Sequence, residues 1–208
     1  MPEPPAPPRL SDEQVERYSR QIILAEIGPV GQARLLAARV AIVGQGAAAE
    51  RALAYLAAAG VGTITAPVEI HAVVDPSQTD VTVLQPDEGG AAPYDVVVLV
   101  GSFHRTVRAR RTLWITQGRA GEIPPCATCA SVALPPPPPV PAELRALRDA
   151  LLGTVIATEV VKALLESGTP LRGRVLTYDP VSASITTEPV APRPNCPSCA
   201  TQADATHY

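Results

Sequence analysis

The sequence predicts an α/β fold: a Rossmann-like, mostly parallel sheet flanked by helices and followed by a C-terminal β-hairpin. The chain has 208 residues, enough for one domain with a sizeable core. Apolar residues make up 46% of it and aromatic residues only 3%, so the core must consist of small aliphatic side chains, which suit helix-on-sheet packing. Over residues 39–66 a strand, a glycine turn, a helix and a second strand follow one another, as in the opening unit of a doubly wound sheet.

Two helices are predicted before this unit. Ser11 and Gln14 have the spacing of a capping box, and apolar residues then recur at helical spacing to about Glu26. The glycines and the proline within residues 28–31 are expected to end this helix. A short second helix is expected over residues 32–38.

The opening unit itself is marked by composition. Residues 39–43 form a compact strand rich in β-branched side chains, and the turn Gly44–Gly46 follows it. Residues 47–59 are an alanine-rich helix that Gly60 ends. The next strand is expected over residues 62–66.

The remaining elements follow from apolar patterns and chain breakers. The expected strands are 70–74, 80–84, 94–101 and 112–116, and the expected helices are an arginine-rich one at 104–111 and a long one at 142–167 with a break near Gly153. A hairpin is expected from residues 174–178 and 184–187.

One domain is predicted over residues 10–200. The proline-rich residues 1–9 and the polar residues 201–208 are predicted tails. Residues 134–141 contain five consecutive prolines and are predicted to form an extended surface loop.

Charge and composition limit the classes of partner. The net charge of −3 and the pI near 5.6 exclude a basic footprint for nucleic acid or an acidic membrane. Lys162 is the single lysine among seventeen basic residues. The sequence has no apolar run of membrane-spanning length and its start lacks the features of a signal peptide, so we expect a cytoplasmic protein.

The four cysteines form two Cys-x-x-Cys pairs, Cys126 with Cys129 and Cys196 with Cys199. Two such pairs can complete a tetrahedral shell of four sulfurs around a structural zinc ion, at about 2.3 Å per bond. The alternative is two disulfides or redox-active motifs. A cytoplasmic location argues against disulfides, and neither pair is expected to open a helix after a strand, as the thioredoxin pattern requires.

The segment from Gly44 to Ala49 has the pattern GxGxxA between a strand and a helix. This pattern is typical of a turn that holds a nucleotide phosphate at a helix N-terminus. A tight turn with close helix packing and no ligand is the alternative. An oxidoreductase that binds NAD at this turn is a further hypothesis, against which stands the lack of an evident second substrate domain.

Four stretches carry a resemblance to a known family, and they lie at 17–66, 94–98, 125–129 and 151–199. In this order they resemble the ThiF/MoeB/HesA superfamily, the bacterial relatives of ubiquitin-activating enzymes. The resemblance implies a dimer that uses ATP and magnesium to adenylate the C-terminal glycine of a ubiquitin-like or sulfur-carrier protein. It also implies that the two cysteine pairs hold zinc.

The nucleotide site that the resemblance implies is degenerate. Ala47 and Ala49 stand where the family's loop has glycines and narrow the turn, and Glu50 replaces a small residue. A carboxylate at this helix start stabilises the helix dipole but repels a phosphate. The residues of this degenerate site are Gly44 and Gly46, with Glu69 as the nearest substitute for the acidic residue that holds the ribose.

Cations and a metal ligand are missing as well. The family's arginine and lysine for the triphosphate fall in a segment that here, over residues 67–95, contains neither. Ser102 stands where a magnesium-binding aspartate is implied, and a hydroxyl is a poor substitute for a carboxylate. Arg20 is the one retained cation of the catalytic type, implied to reach across a dimer interface; an exposed helix arginine is the alternative.

The sequence therefore predicts a reduced, non-adenylating member of this superfamily, a partner or scaffold for a carrier protein or an active relative. The alternative is an active adenylyltransferase with a rearranged ATP site. Structural zinc is expected, and binding of ATP with magnesium is not. A cluster of arginines, most simply explained as a solvated helix face but able to bind an anion, comprises Arg105, Arg108, Arg110 and Arg111.

Overall fold

In the part of the chain that the structure describes, eight strands lie in one sheet. Their bounds are β1 (Arg39–Val43), β2 (Thr63–Thr65), β3 (Thr82–Leu84), β4 (Tyr94–Val100), β5 (Ala109–Thr116), β6 (Arg119–Glu122), β7 (Arg174–Asp179) and β8 (Ser184–Pro189). The structure is a computed structural model that describes residues 9–86, 88–89, 93–101 and 107–198. Residues 1–8 and 201–208 of the predicted tails lie outside this part.

Six α-helices accompany the sheet in the described residues. They are α1 (Asp12–Arg17), α2 (Ser19–Ile22), α3 (Gly28–Ala37), α4 (Ala47–Ala58), α5 (Ala127–Ala133) and α6 (Ala142–Leu165). Two 3₁₀ helices, Val68–Val73 and Pro76–Gln78, follow β2. In the described part of the chain, no helix combines the length and the apolar character needed to cross a membrane.

The strand order is β3-β2-β1-β4-β5-β6-β7-β8. The first five strands in this order are parallel, and β6, β7 and β8 are added antiparallel. The direction of winding changes between β1 and β4, where Val40 pairs with Val96. In open α/β sheets a ligand binds outside the carboxyl ends of the strands at such a switch point. The carboxyl edge of β1 and β4 is therefore where a ligand is expected.

The larger core cluster lies between one face of the sheet and helices α4 and α6. Alternate residues of the central strands, such as Ile42 and Val98, are buried there together with Leu53 and Ile156. The second cluster is on the opposite face around Trp114, whose indole N–H donates to the carbonyl of Pro125 at 2.9 Å. This face contains three of the four cysteines.

The N-terminal helix is shorter than predicted. The predicted capping box is present, with hydrogen bonds of 3.1 and 3.2 Å between Ser11 and Gln14. However, α1 ends at Arg17, and the residue that follows, Tyr18, has its ring buried beside Gly60. The glycine and proline residues expected to stop a helix instead begin α3. Pro29 fits there because an N–H in the first turn of a helix has no partner within the helix.

Two predictions for the middle of the chain are wrong. The strand expected over 70–74 is a 3₁₀ helix, because Ile70 turns into the core. The arginine-rich helix expected over 104–111 is, in its described part, the start of β5, because β4 offers a pairing edge on which Val96 faces Arg111. The strand β6 and the short helix α5 were not predicted.

The long helix α6 is continuous through Gly153 and has no break there. Gly153 instead lets α6 pass directly against Ala48 of α4. The strands β1 and β4, the helix α4 and the C-terminal hairpin agree with the predictions to within two residues at most ends. The expected α/β fold with flanking helices is therefore confirmed.

Candidate functional site

The glycine turn lies at the carboxyl end of β1, at the switch point of the sheet. Gly44 has a φ of +113°, and a Cβ atom there would lie 2.1 Å from the carbonyl oxygen of Val100, so only glycine fits. Gly46 has a φ of +90° and is the N-cap of α4. No atom of the described residues lies within 4 Å of the position that its Cβ would take. Among the described residues, none therefore covers the Cβ side of Gly46 at the N-terminus of this 12-residue helix.

The alanines after the turn do not close it. Ala49 is fully buried in the core and does not narrow the turn, contrary to the sequence-based expectation. Ala47 is half-buried. Glu50 is exposed in the first turn of α4, where its carboxylate meets the positive end of the helix dipole. A phosphate at this end would face that negative charge.

The predicted ribose-binding position is on the same edge. Glu69 is exposed in the 3₁₀ helix that follows β2, the strand beside β1. Ser102, which follows β4, lies outside the described residues. The structure thus brings Glu69 to the same edge as Gly44 and Gly46, and together with Glu50 it gives this edge two carboxylates.

Helix α6 contributes a cation and a carboxylate that the sequence analysis missed. Arg148 packs against Gly118 in the turn between β5 and β6, and its Nε and Nη2 both lie 2.9 Å from Oδ1 of Asp149. Asp149 stands four residues before Gly153, so both lie on the face of α6 that passes α4. The four-residue spacing between Asp149 and Gly153 was the signal in the sequence that could have placed Asp149 on this face. The charge of Arg148 is already partnered by its neighbour.

Arg20 is distant from the glycine turn of its own chain. It is exposed in α2, and the adjacent Gln21 donates to the carbonyl of Ala58, the last residue of α4, at 3.3 Å. A helix of 12 residues is about 18 Å long at 1.5 Å per residue. The structure therefore does not bring Arg20 and Gly46 together within one chain.

The arginine cluster is not a single patch. Arg105 lies outside the described residues, and Arg110 is exposed at 3.8 Å from Asp95. Arg111 donates to both oxygens of the buried Glu122, at 2.8 and 2.6 Å, and these bonds raise the pKa of Arg111. Arg110 and Arg111 lie at the start of β5, at the edge of the sheet opposite the glycine turn.

Three cysteines come together on the second face of the sheet. Cys126 precedes α5, Cys129 lies within it and Cys196 follows β8, and each is at most 4% exposed. The sulfur of Cys126 lies 3.8 Å from that of Cys129 and 3.7 Å from that of Cys196. All three sulfurs lie within 4.8 Å of one another. Cys199, the predicted fourth ligand, lies outside the described residues.

These separations fit a tetrahedral metal shell better than a disulfide. A disulfide bond is about 2.05 Å long, far shorter than the 3.8 and 3.7 Å that separate the sulfur of Cys126 from those of Cys129 and Cys196. Two sulfurs that share a tetrahedral zinc at about 2.3 Å per bond lie roughly 3.8 Å apart. The backbone N–H of Arg193 also donates to the sulfur of Cys129 at 3.4 Å, and such bonds stabilise a thiolate ligand. The cluster is therefore suited to a metal ion.

One premise of the cysteine prediction is wrong. Cys126 is the N-cap of α5, whereas neither pair was expected to open a helix. A thiol at a helix N-terminus is a feature of redox motifs. Here, however, Cys196 places a third sulfur at 3.7 Å, which a two-cysteine redox motif does not contain. The geometry favours a metal ligand over a redox pair.

Comparison with known proteins relates the chain to enzymes of adenylyl transfer. The ThiF family model matches residues 18–67. The chain is 29% identical to the SAMP-activating enzyme E1 of Haloferax volcanii, over 91% of this chain and 90% of that one. It is 28% identical to the sulfur carrier protein adenylyltransferase of Thermus thermophilus, over 92% and 93% of the two chains.

The fold also has a solved counterpart. The crystal structure of E. coli MccB superposes with a TM-score of 0.60 at 14% identity, over 91% of this chain and 75% of that one. The alignment with the Haloferax enzyme extends over 246 residues, more than the 208 of this chain, so that relative contains internal residues that this chain lacks. The chain therefore resembles the ThiF/MoeB/HesA superfamily over most of its length, as a shortened and divergent relative.

Proposed function

We propose that this chain is a non-adenylating member of the superfamily, which acts as a partner or scaffold in a ubiquitin-like or sulfur-carrier protein system. The observation that carries the proposal is the charge of the carboxyl edge in front of Gly46. Glu50 and Glu69 are exposed there, and Arg148, a cation that α6 brings to this edge, is paired with Asp149. A triphosphate with magnesium needs the opposite arrangement, with several cations and a metal-binding carboxylate.

The segment between β2 and β4 supports the same proposal. Residues 67–93 contain neither lysine nor arginine, and five of them are acidic. The parts that hold the fold together are retained, namely the glycine turn, the central strands and the cysteine cluster. A chain that keeps the fold and lacks the phosphate-binding charges is suited to binding proteins and not to nucleotide chemistry.

We further propose that the cysteine cluster holds a structural zinc ion, with Cys199 as the fourth ligand. A shell of four thiolates leaves no open coordination position, so the metal would stabilise the fold and take no part in chemistry. A structural zinc site built from thiolates is typical of a reducing compartment, where disulfides are rare. We therefore propose that the protein acts in the cytoplasm.

The proposed partnership includes dimer formation through the N-terminal helices. Val15 is 45% exposed and Ile23 is 80% exposed, while Ile22 is half-buried. Leu24 and Val30 add further exposed apolar surface to the same segment. An apolar surface of this kind favours burial against another protein. Light scattering at micromolar concentration tests whether the partner is a second copy.

An active adenylyltransferase is the second candidate, and two observations favour it. The relatives that cover most of the chain are named as an activating enzyme and an adenylyltransferase. In addition, α6 places Arg148 and Asp149 at the carboxyl edge, where they provide one cation and one carboxylate.

Carrier-dependent exchange between ATP and pyrophosphate separates the two candidates. The purified chain is mixed with a sulfur-carrier protein, and the Thermus adenylyltransferase with the same carrier is the positive control. We expect no exchange above background from this chain, together with measurable binding of the carrier or of an active relative. Exchange that depends on the carrier would establish the second candidate, and absence of both exchange and binding would contradict both.

A further inference from the structure

Arg119 is a buried cation that forms no ion pair with the residues that the structure describes. It begins β6 and is only 7% exposed. Its Nη2 donates to the carbonyl of Pro135, at the start of the proline run. Its Nε is buried without a hydrogen-bond partner among the described residues, and the ion pairs of that part of the chain do not include it.

A second unpartnered polar group stands directly beside it. Thr177 of β7 is paired with Arg119 across the antiparallel strands β6 and β7. Directly opposed residues project to the same face of a sheet, with Cβ atoms about 4.5–5.5 Å apart. The Oγ1 of Thr177 is also buried with no partner in the described structure. An unpartnered guanidinium N–H, that of Nε, and an unpartnered hydroxyl therefore lie on the same face of two paired strands.

A negative charge beside Arg119 and Thr177 would be electrostatically favourable. Burial lowers the pKa of Arg119, and the carboxylate of Glu188 on β8 partly offsets that effect. Glu188 is exposed and not in ion-pair contact with Arg119. Buried charges in proteins are normally paired, because an uncompensated one is costly to remove from water. A water molecule would satisfy the hydrogen bonds but leave the charge uncompensated.

We propose that Arg119 and Thr177 form a subsite for a small oxyanion group, held beside the proline run at residues 135–139. One oxygen of the anion accepts from the Arg119 guanidinium in a charge-assisted hydrogen bond, and another accepts from the Thr177 hydroxyl. Both unsatisfied groups gain a partner and the buried cation gains its counter-charge.

The subsite lies at the same carboxyl edge of the sheet as the glycine turn. Arg119 follows the turn at Gly118, which lies at the carboxyl end of β5 on the same edge as the glycine turn. Arg148 of α6 packs on that turn. The anion would therefore lie at the carboxyl edge, two strands away from the end of β4.

Two sources can supply this chemistry: a free oxyanion such as phosphate, or the C-terminal carboxylate of an extended peptide. Only the second source rests on the proposed function, because a carrier protein would present its terminal glycine in this form. The two are separated with inorganic phosphate as one probe and, as the other, a short peptide that ends in Gly-Gly with either a free carboxylate or an amide.

The test measures probe binding by calorimetry and the melting temperature of the full-length protein, at constant ionic strength with chloride as the reference salt. The wild-type chain should bind at least one probe saturably and melt higher in its presence. Arg119→Gln keeps a donor for Pro135 but removes the charge, and it should weaken binding roughly 10- to 100-fold. Arg110→Gln is the matched control, because Arg110 is 81% exposed, and it should leave binding unchanged.

A second variant keeps the proposal falsifiable if Arg119→Gln does not fold. Thr177→Val removes one neutral hydrogen bond and should weaken binding roughly 2- to 10-fold. Glu188→Gln should leave binding in place, since that carboxylate is not the counter-ion. Binding of phosphate alone, or of the free-carboxylate peptide in preference to its amide, supports the subsite, and only the peptide result bears on the carrier. Equal binding by wild type and Arg119→Gln, or no binding of either probe to the wild type, would overturn it.

Discussion

Gly153 of α6 and Ala48 of α4 are in direct backbone contact. A Cβ atom on Gly153 would lie 2.2 Å from the carbonyl oxygen of Ala48 and 2.9 Å from its Cα. The contact lies at the start of α4, immediately after the glycine turn. The contact therefore fixes the position of α6 relative to the carboxyl edge of the sheet. It thereby also fixes the positions of Arg148 and Asp149.

Replacing Gly153 with alanine should destabilise the protein. The new methyl group meets backbone atoms, and such overpacking costs roughly 1–3 kcal/mol, while helix propensity returns up to about 1 kcal/mol. The expected net loss is about 1–2 kcal/mol, a decrease in melting temperature of roughly 2–8 °C. Gly31→Ala in α3 is the matched control. Its Cβ would meet only side chains, with Leu165 Cδ2 nearest at 3.2 Å, so its melting temperature should change little.

Cys196→Ser should remove the metal and loosen the C-terminal end. Structural zinc contributes roughly 10–16 kcal/mol in small metal-binding domains. If loss of one of its ligands costs roughly 3 kcal/mol, the melting temperature falls by about 6–12 °C. Elemental analysis of protein purified without added metal should find one zinc per wild-type chain and less in the variant. Ser198→Ala, an exposed neighbour in the same segment, should keep both zinc and stability; a wild-type chain without zinc would refute the assignment.

Mg-ATP should not bind measurably to the chain alone. The family resemblance implies two cations for the triphosphate that residues 67–93 lack, and each charge-assisted hydrogen bond contributes roughly 1.5–3 kcal/mol. Their loss weakens binding by roughly 3–6 kcal/mol, about two to four orders of magnitude. Calorimetry should therefore record no saturable heat, with the Thermus adenylyltransferase as the positive control. Saturable binding at micromolar concentration would contradict the non-adenylating proposal and favour an active adenylyltransferase.

The hairpin between β7 and β8 should respond to acid through Asp179. Its carboxylate accepts from the hydroxyl of Ser182 at 2.7 Å and from the N–H of Val181 at 2.9 Å, and these bonds lower its pKa below the usual 3.8. A lowered pKa means that the stabilisation is complete above the usual value and is lost as the pH falls through the folded value.

Carbon-detected NMR titration of the side-chain carboxyls checks this expectation. Ser182→Ala should raise the pKa of Asp179 towards 3.8, because the largest lowering contribution comes from the Ser182 hydroxyl. Ser77→Ala removes the equivalent bond to Asp75, at 2.8 Å, and should shift the pKa of Asp75 alone. An unchanged Asp179 in Ser182→Ala would show that the hydroxyl is not the cause.

The elements that sequence reasoning predicted well are those whose pattern is local. The strand β1 and helix α4 have compositions that suit one structure, and the turn between them is marked by glycine. The strand β6 has no such pattern: its four residues Arg119–Glu122 include two charges and a glycine, yet all four are buried. It forms because β5 and β7 pair with it, and because Gly121 leaves room for the Trp114 ring.

The candidate sites differ in the same way: one has a local sequence pattern and the other depends on contacts between distant parts of the chain. The spacing of two residues within each cysteine pair is local and indicated the cluster. The closeness of Arg119 and Thr177 depends on strand pairing between positions far apart in the chain, which composition does not reveal. Gly153 was interpreted as a helix break, because propensity acts on one residue while its contact with Ala48 belongs to the packing of two helices.

The distance along the chain between Cys126 and Cys196 determines when the metal cluster can be completed. The two thiols are 70 positions apart in the chain, and the proline run, α6, β7 and β8 lie between them. During synthesis Cys126 and Cys129 emerge early, but the third sulfur follows only after every strand of the sheet has been made. Metal capture would then close a ring around the last third of the chain. The six exposed residues of β8 would be anchored at their C-terminal end only once Cys196 has bound the metal.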